Sequence, residues 1–329
     1  MPKIFVTRKI PDVGLTLLRA EKDFDVVVSS HDRVLSHDEL VACVKDADAV
    51  LSLLTDKIDG TVLDAAGKQL KIVANYAVGF DNVDLTAAKE RSVVVTNTPG
   101  DLVTESVAEH AFALIIAVAH RIVESDTFAK AGEYKGWAPN LLTWTLLQGK
   151  TLGIVGLGRI GAAVARRAVK GMGMKVVYYD PKPNPDFEKE YSAEYKTTLD
   201  GLLAVADVVS LHVPLLPATR HLMSTDQFNL MKRRAILVNT ARGPVVDEKA
   251  LVIALEQERI AGAGIDVFEC EPSIDCDPTD HHELKQMTNV VLTPHTASAS
   301  REARDEMATI AAKNIIEVLR GRSALNPAK

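Results

Sequence analysis

The stretch TLGIVGLGRIGAAVARRA, residues 151–168, constrains the fold more than any other part of the chain. An apolar strand pattern runs into Gly156, Gly158 and Gly161, spaced GxGxxG, and an amphipathic helix pattern follows. The first glycine permits a tight turn, the second lets backbone N–H groups approach a pyrophosphate, and the third lets the helix pack close to the sheet. Such a turn can also serve packing alone. The acid ending the next strand makes the signal specific. Asp180 lies nineteen residues beyond Gly161, where a carboxylate accepts from both ribose hydroxyls of an adenosine. It would repel a 2′-phosphate, so NAD is the expected cofactor, and Lys182 leaves NADP as the alternative.

The rest of the chain fits this reading. In the first hundred residues KIFVT, FDVVV, DAVLSLL, LKIVAN and SVVVTN read as strands, with VGLTLLRA, HDELVACV, GTVLDAAG and VDLTAAKE as helices between them. From TLGIVGLG on, MKVVYYD, DVVSLHV, AILVNT, AGAGIDVF and NVVLTP repeat the alternation. Strands alternating with helices imply α/β architecture, two parallel sheets covered by helices. Between the two series, residues 102–131 lack proline and glycine and predict one long helix, apolar almost all round in its middle, lying between domains or subunits. The segment REARDEMATIAAKNIIEVLRG predicts a last amphipathic helix.

Composition excludes several classes. At 329 residues two domains are the natural expectation. The 38 basic and 44 acidic residues give a net charge of −6 and form no block of one sign, which argues against a nucleic-acid or anionic-membrane surface. The apolar run Ala111–Ala119 has nine residues, about half of what a bilayer span requires, and no signal-peptide pattern opens the chain. A cytoplasmic protein is expected. Cys43, Cys270 and Cys276 show no CxxC spacing and are expected to be reduced. The run His281–Glu283 lacks the HExxH pairing of a zinc helix and reads as solvated surface, so no metal site is expected.

Three strand ends carry chemistry. In VNTARGPVVDE, Arg242 follows a strand where open α/β sheets bind ligands, and its planar guanidinium suits a carboxylate or an ordinary ion pair. In GIDVFECEP, Asp266, Glu269 and Glu271 alternate and would share one side of an extended segment. Those carboxylates repel unless cations sit among them. In LTPHTAS, His295 is either a satisfied core histidine or one such cation.

Together the motifs NYAVGFDNVDL, VTESVAEHAFAL, GKTLGIVGLGRIG, VNTARGPVVDE, GAGIDVFECEP and VVLTPHTASAS, in this order, resemble those of the D-isomer-specific 2-hydroxyacid dehydrogenase family over nearly the whole length. Within it the chain looks most like the glyoxylate and hydroxypyruvate reductases. The resemblance implies a Rossmann-like nucleotide domain (100–293) inserted in a discontinuous, flavodoxin-like substrate domain (1–99 and 294–329), closing by hinge motion, and a homodimer formed through the long helix. It implies a catalytic set of Arg242, Glu271 and His295. A small 2-oxo acid would be held by Arg242 and by the backbone of Val78 and Gly79, with Leu53 and Leu54 bounding its side chain. His295 would donate the proton, and Glu271 would favour its imidazolium. Beyond Gly156, Gly158, Gly161 and Asp180, cofactor contacts carry over to Thr104, Arg159, Ile160, Val213, Pro214, Thr219, Thr240, Ala241 and Asp266.

Four related readings compete. Phosphite dehydrogenases share Gly136, Trp137 and Pro139 but carry lysine where this chain has Val78. Phosphoglycerate dehydrogenases share the catalytic set, many with an additional regulatory domain. D-lactate dehydrogenases act on an acid that differs from hydroxypyruvate by one hydroxyl. The NAD-responsive corepressors reuse the fold as binding proteins.

Overall fold

The computed structural model describes residues 1–271 and 284–328. The chain divides into two compact units, one made of Met1–Val103 with the chain from Ala299 on, the other of Thr104–Ser298. His281–Glu283 and Cys276 lie outside the described residues.

In the first unit β1 (Lys3–Val6), α1 (Asp12–Ala20), β2 (Asp25–Val28), α2 (His37–Cys43), β3 (Ala49–Leu53), α3 (Gly60–Ala66), β4 (Ile72–Tyr76), α4 (Leu85–Glu90) and β5 (Val94–Thr96) alternate as the sequence predicts. The sheet is wholly parallel, in the order β2-β1-β3-β4-β5, which is the flavodoxin-like arrangement. Short polar side chains start its helices. Ser36 and Glu39 form a capping box on α2, and the carboxylates of Asp59 and Asp84 accept from the first N–H groups of α3 and α4.

The second unit holds α5 (Asp101–Ala119), most of which lies within it, α6 (Ile122–Lys130), β6 (Thr151–Val155), α7 (Arg159–Met172), β7 (Lys175–Tyr179), α8 (Pro185–Tyr191) and the short β8 (Glu194–Tyr195). There follow α9 (Leu199–Leu203), β9 (Val208–Leu211), α10 (Thr225–Leu230), β10 (Ile236–Asn239), α11 (Glu248–Glu256), β11 (Gly262–Ile265) and β12 (Val290–Leu292). The parallel order β12-β11-β10-β9-β6-β7-β8 reverses direction at β6, as in dinucleotide-binding sheets. Successive strand residues face opposite layers. Ile154, Val176 and Tyr178 pack with Ile115 of α5 and Val164 of α7, whereas Val155, Val177 and Leu237 pack with Leu202, Phe228 and Leu251 of α9, α10 and α11.

The single helix expected over 102–131 is broken. Its chain turns at His120 and Arg121, and Arg121 adopts a left-handed φ of 52°. The returning segment around Thr143–Thr145 competes for the helix end. Thr145 N–H donates to the Ala119 carbonyl at 2.9 Å, Trp144 stacks on His120 at 4.0 Å, and Arg121 reaches both Glu124 and the Thr143 carbonyl. By length and composition α5 could cross a membrane, yet 44% of that window is buried within the protein. Cys43 is the free cysteine among the described residues. Cys270, in an exposed turn, is disulfide-bonded, which corrects the expectation of a reduced thiol there.

The last helix, α12 (Arg301–Leu319), belongs to the first unit and packs on α1 and β4. Asn314 within it accepts from the N–H groups of Leu325 and Asn326 beyond its end, and Ala328 N–H donates to the Val95 carbonyl, covering the β5 edge. Gly14 lets α1 and α12 meet closely, because a Cβ there would lie 2.7 Å from the Ala308 carbonyl oxygen and 2.9 Å from its methyl. We therefore expect Gly14→Ala to lower stability by about 1–3 kcal/mol, read from the urea midpoint, as overpacked contacts do. An unchanged midpoint would show that the two helices separate without cost.

Candidate active site

At the carboxyl edge of the second sheet the glycine turn follows β6. Gly156 has φ +95°, and a Cβ there would meet the His212 backbone at 2.9 Å, so the position requires glycine. Gly161 sits against the Gly156 carbonyl, with no room for a side chain. Over Gly158, by contrast, the space is open. Gly158 caps α7 without a side-chain acceptor, so this end offers N–H groups to an anion. Exposed Arg159 and half-buried Ile160 form the first turn of α7. Asp180, just past β7, accepts from Leu157 N–H at 2.9 Å and, at 3.4 Å, from Lys182 N–H, which turns its carboxylate toward the glycine loop. On the other side of β6, half-buried Val213 and exposed Pro214 leave β9, and Thr219 closes their loop by donating to the Pro214 carbonyl and accepting from Leu216 N–H. Thr104 is half-buried in the first turns of α5. Thr240 Oγ1 is buried without a hydrogen-bond partner among the described residues. An uncapped helix end, open space above glycine and an orphaned hydroxyl fit a dinucleotide.

The three chemical candidates leave adjacent strands, β10, β11 and β12. Fully buried Asn239 shapes the first turn, accepting from Ala241 N–H and donating to the Arg242 carbonyl, both at 3.0 Å. Arg242 directs one guanidinium N–H back to the Ala241 carbonyl at 2.8 Å. The next residue, Gly243, lies directly on the backbone of Phe268 and Glu269, which docks the Arg242 turn on the exit of β11. Glu271 is held by Phe268 N–H through Oε1 at 2.9 Å, and its Oε2 lies 2.9 Å from His295 Nδ1. That contact orients the ring and leaves Nε2 free of Glu271. Of the pair, His295 is 24% and Glu271 31% exposed, enough for a small ligand to reach.

The three acids of GIDVFECEP do not share a side: Asp266 is three residues before Glu269, an odd spacing that an extended chain puts on opposite faces, and β11 ends at Ile265, where the chain turns. Glu269 pairs with His221 at 2.5 Å, and Glu271 with His295. Asp266 has no exposed surface. It accepts from the Thr293 hydroxyl at 2.6 Å, Thr296 N–H at 2.8 Å and Ala297 N–H at 2.9 Å, while its carbonyl accepts from His295 N–H at 2.8 Å. Asp266, which the resemblance implies as a cofactor contact, organises the turn that carries His295. Burial pushes its carboxyl up, but these donors and His110 outweigh burial and hold it below the usual carboxylate range. A second histidine at this edge, His212, is pushed down to about 3 by burial and bonds Ser210 at 2.9 Å, so it is neutral and no proton donor near pH 7.

In the first unit, Leu53 and half-buried Leu54 lie at the end of β3, and Val78 and Gly79 after β4. Asn75 and Asn82 tie these loops together. Asn75 donates to the Gly79 carbonyl, Asn82 to those of Leu53 and Asp56, and Asn97 to that of Val78. The N–H groups of Val78 and Gly79 have no protein acceptor among the described residues. The sequence motifs contained Asn75, Asn82, Asn239 and His110, but nothing in their spacing distinguished a backbone-holding amide from a surface one.

Comparison with known proteins adds a family to this geometry. Residues 112–297 match the model described as D-isomer specific 2-hydroxyacid dehydrogenase, NAD binding domain. The chain is similar to a glyoxylate reductase of Korarchaeum cryptofilum, 51% identical over 97% of this chain and 93% of the relative, and to one of Pyrococcus furiosus, 46% identical over 97% and 93%. Among solved structures it is similar to the TT0316 protein of Thermus thermophilus, with a TM-score of 0.91, 44% identity and coverage of 99% and 100%. It is also similar to an NADPH-dependent glyoxylate/hydroxypyruvate reductase of Sinorhizobium meliloti, with a TM-score of 0.84, 33% identity and coverage of 100% and 98%.

The Asp266 carboxyl sets an acid limit on stability. A pKa held below its unfolded value stabilises the fold above about pH 4, and that contribution is lost as pH falls through the folded value. Asp266→Asn should therefore cost about 1.5–3 kcal/mol or more at pH 7 in urea unfolding, with the gap to wild type narrowing on acidification. A gap independent of pH would mean that the carboxylate charge is not what the turn requires.

Proposed function

This chain belongs to the D-isomer specific 2-hydroxyacid dehydrogenase family, an NAD(P)-dependent oxidoreductase of 2-oxo acids, and we propose that it reduces glyoxylate and hydroxypyruvate with His295 as proton donor. The observation that carries the reading is the 2.9 Å contact of His295 Nδ1 with Glu271, at a strand end beside the Arg242 turn. A bound reduced nicotinamide supplies the hydride for the carbonyl carbon. Arg242 receives the substrate carboxylate, as a planar fork suits two oxygens. His295 gives its Nε2 proton to the carbonyl oxygen, which becomes the hydroxyl of the product. Glu271 keeps the hydrogen on Nδ1, so Nε2 is the nitrogen that gains and loses the transferred proton. In the first unit, the N–H groups of Val78 and Gly79, without an acceptor among the described residues, are of the kind that bind carboxylate oxygens, and Leu53 and Leu54 offer apolar surface.

The turn after β6 and the orphaned Thr240 hydroxyl support binding of NAD(P) by Gly156, Gly158, Gly161, Thr240 and their neighbours. Asp180 favours NADH over NADPH, because a carboxylate where the ribose hydroxyls bind repels a 2′-phosphate. Exposed apolar side chains gathered along one stretch, including Ile122, Val123, Trp137 and Trp144, support a homodimer built on that segment.

General acid catalysis contributes roughly 10²–10⁴ in rate, so His295→Asn should lower kcat by about that factor and leave NADH affinity nearly unchanged. Wild-type turnover in this variant would remove His295 from the chemistry. Glyoxylate and hydroxypyruvate should exceed pyruvate and phosphohydroxypyruvate in kcat/KM with NADH. A preference for pyruvate would make the chain a D-lactate dehydrogenase, and NADH binding without turnover of any of the four would favour a binding protein. Asp180→Ala should move kcat/KM toward NADPH by about tenfold or more, the scale of one lost charge contact.

A further inference from the structure

The motif VTESVAEHAFAL brings to the site one side chain that the reaction does not yet use. His110 of α5 stands with Nε2 2.9 Å from the Thr293 hydroxyl and 3.4 Å from Asp266 Oδ1. Thr293 donates to that same Oδ1 at 2.6 Å. A hydroxyl has one hydrogen, so once Thr293 has directed it to Asp266, its oxygen accepts from His110. The hydrogen on His110 is therefore on Nε2, and the chain runs one way, from His110 through Thr293 to Asp266. The backbone of Thr293 is held as well. Its N–H donates to the Ile265 carbonyl at 2.9 Å, and its carbonyl accepts from His295 N–H at 3.0 Å. Two residues on, His295 adopts a left-handed φ of 53°, a conformation that a histidine keeps where its surroundings impose it. Its own N–H is shared between the carbonyls of Asp266, at 2.8 Å, and Thr293, at 3.0 Å.

We propose that His110 is a positioning residue of the proton-transfer step: by orienting the Thr293 hydroxyl onto Asp266 it sets the 293–297 turn and the direction of the His295 ring. The proposal rests on His295 being the proton donor. A second anchor bears on the same turn from α5, where the Ser106 hydroxyl donates to the Ala297 carbonyl at 2.9 Å. The helix thus grips the turn at both ends, by Ser106 at Ala297 and by His110 at Thr293. His110, 23% exposed, supplies the N–H that the Thr293 oxygen accepts while its own hydrogen is directed to Asp266.

A role in packing alone would depend on the ring's volume, and a positioning role on its N–H. His110→Phe keeps a ring and removes the donor, while His110→Gln keeps an N–H donor of similar reach. In the whole enzyme, with NADH and glyoxylate, His110→Phe should lower kcat by about 10- to 100-fold, the cost of a misplaced catalytic group, with NADH affinity unchanged. His110→Gln should recover most of that loss. In a His295→Asn background the Phe substitution should cost nothing further, because the group it positions is gone. Wild-type kcat in His110→Phe, no recovery with Gln, or an equal further loss on top of His295→Asn would overturn the proposal. A slow His295→Asn beside an unimpaired His110→Phe sinks the positioning role alone, whereas wild-type turnover in His295→Asn sinks the proton-donor reading and this one with it.

Discussion

Asp266 carries a carboxylate into a place with no exposed surface, and a buried charge left unpaired costs several kcal/mol. The chain meets that requirement with donors from one short turn, the hydroxyl of Thr293 and the N–H groups of Thr296 and Ala297. Satisfying the charge and shaping the turn are one event. The left-handed conformation of His295 and its contact with Glu271 follow from it, as both depend on where the turn leaves β12. Gly243 extends the arrangement by docking the Arg242 turn on the neighbouring backbone of Phe268 and Glu269, where any Cβ would collide.

Parallel topology makes this assembly possible. In a parallel sheet every carboxyl end lies on one edge, so residues 53 positions apart in sequence, Arg242 and His295, leave strands that are near neighbours. The reversal of strand order at β6 opens the same edge for a nucleotide, and α7 presents an uncapped N-terminus there. Stability and function compete little at this end of the helix. A side-chain cap would satisfy the helix and close the site.

Much of the architecture was legible from residue patterns. Buried parallel strands must be apolar along their length, so VVV and IVG runs announce themselves, and the GxGxxG with its distant acid has a mechanical reading that few other arrangements share. The edge strand β8, only Glu194 and Tyr195, left no such run. The break after Ala119 was hidden because its cause lies elsewhere in the chain, in the return of Thr143–Thr145 to take the helix-end carbonyl and in the pairing of Arg121 with Glu124. The alternation of Asp266, Glu269 and Glu271 suggested one acidic face. Even an extended segment would have set Asp266 opposite Glu269 and Glu271, and β11 stops at Ile265, so each acid finds its own partner.

By itself the sequence determined the class of fold, the nucleotide turn and the kinds of side chain at three strand ends, because these follow from periodicity, glycine sterics and charge, which are local. Only the tertiary structure decided which groups meet. Nothing in the spacing of VTESVAEH, GIDVFECEP and LTPHTAS says that His110 reaches Thr293, that Asp266 turns inward, or that Glu271 takes His295. Those pairings depend on hydrogen-bond distances across elements far apart in the chain, and such distances exist only once the sheet has brought β11, β12 and α5 together.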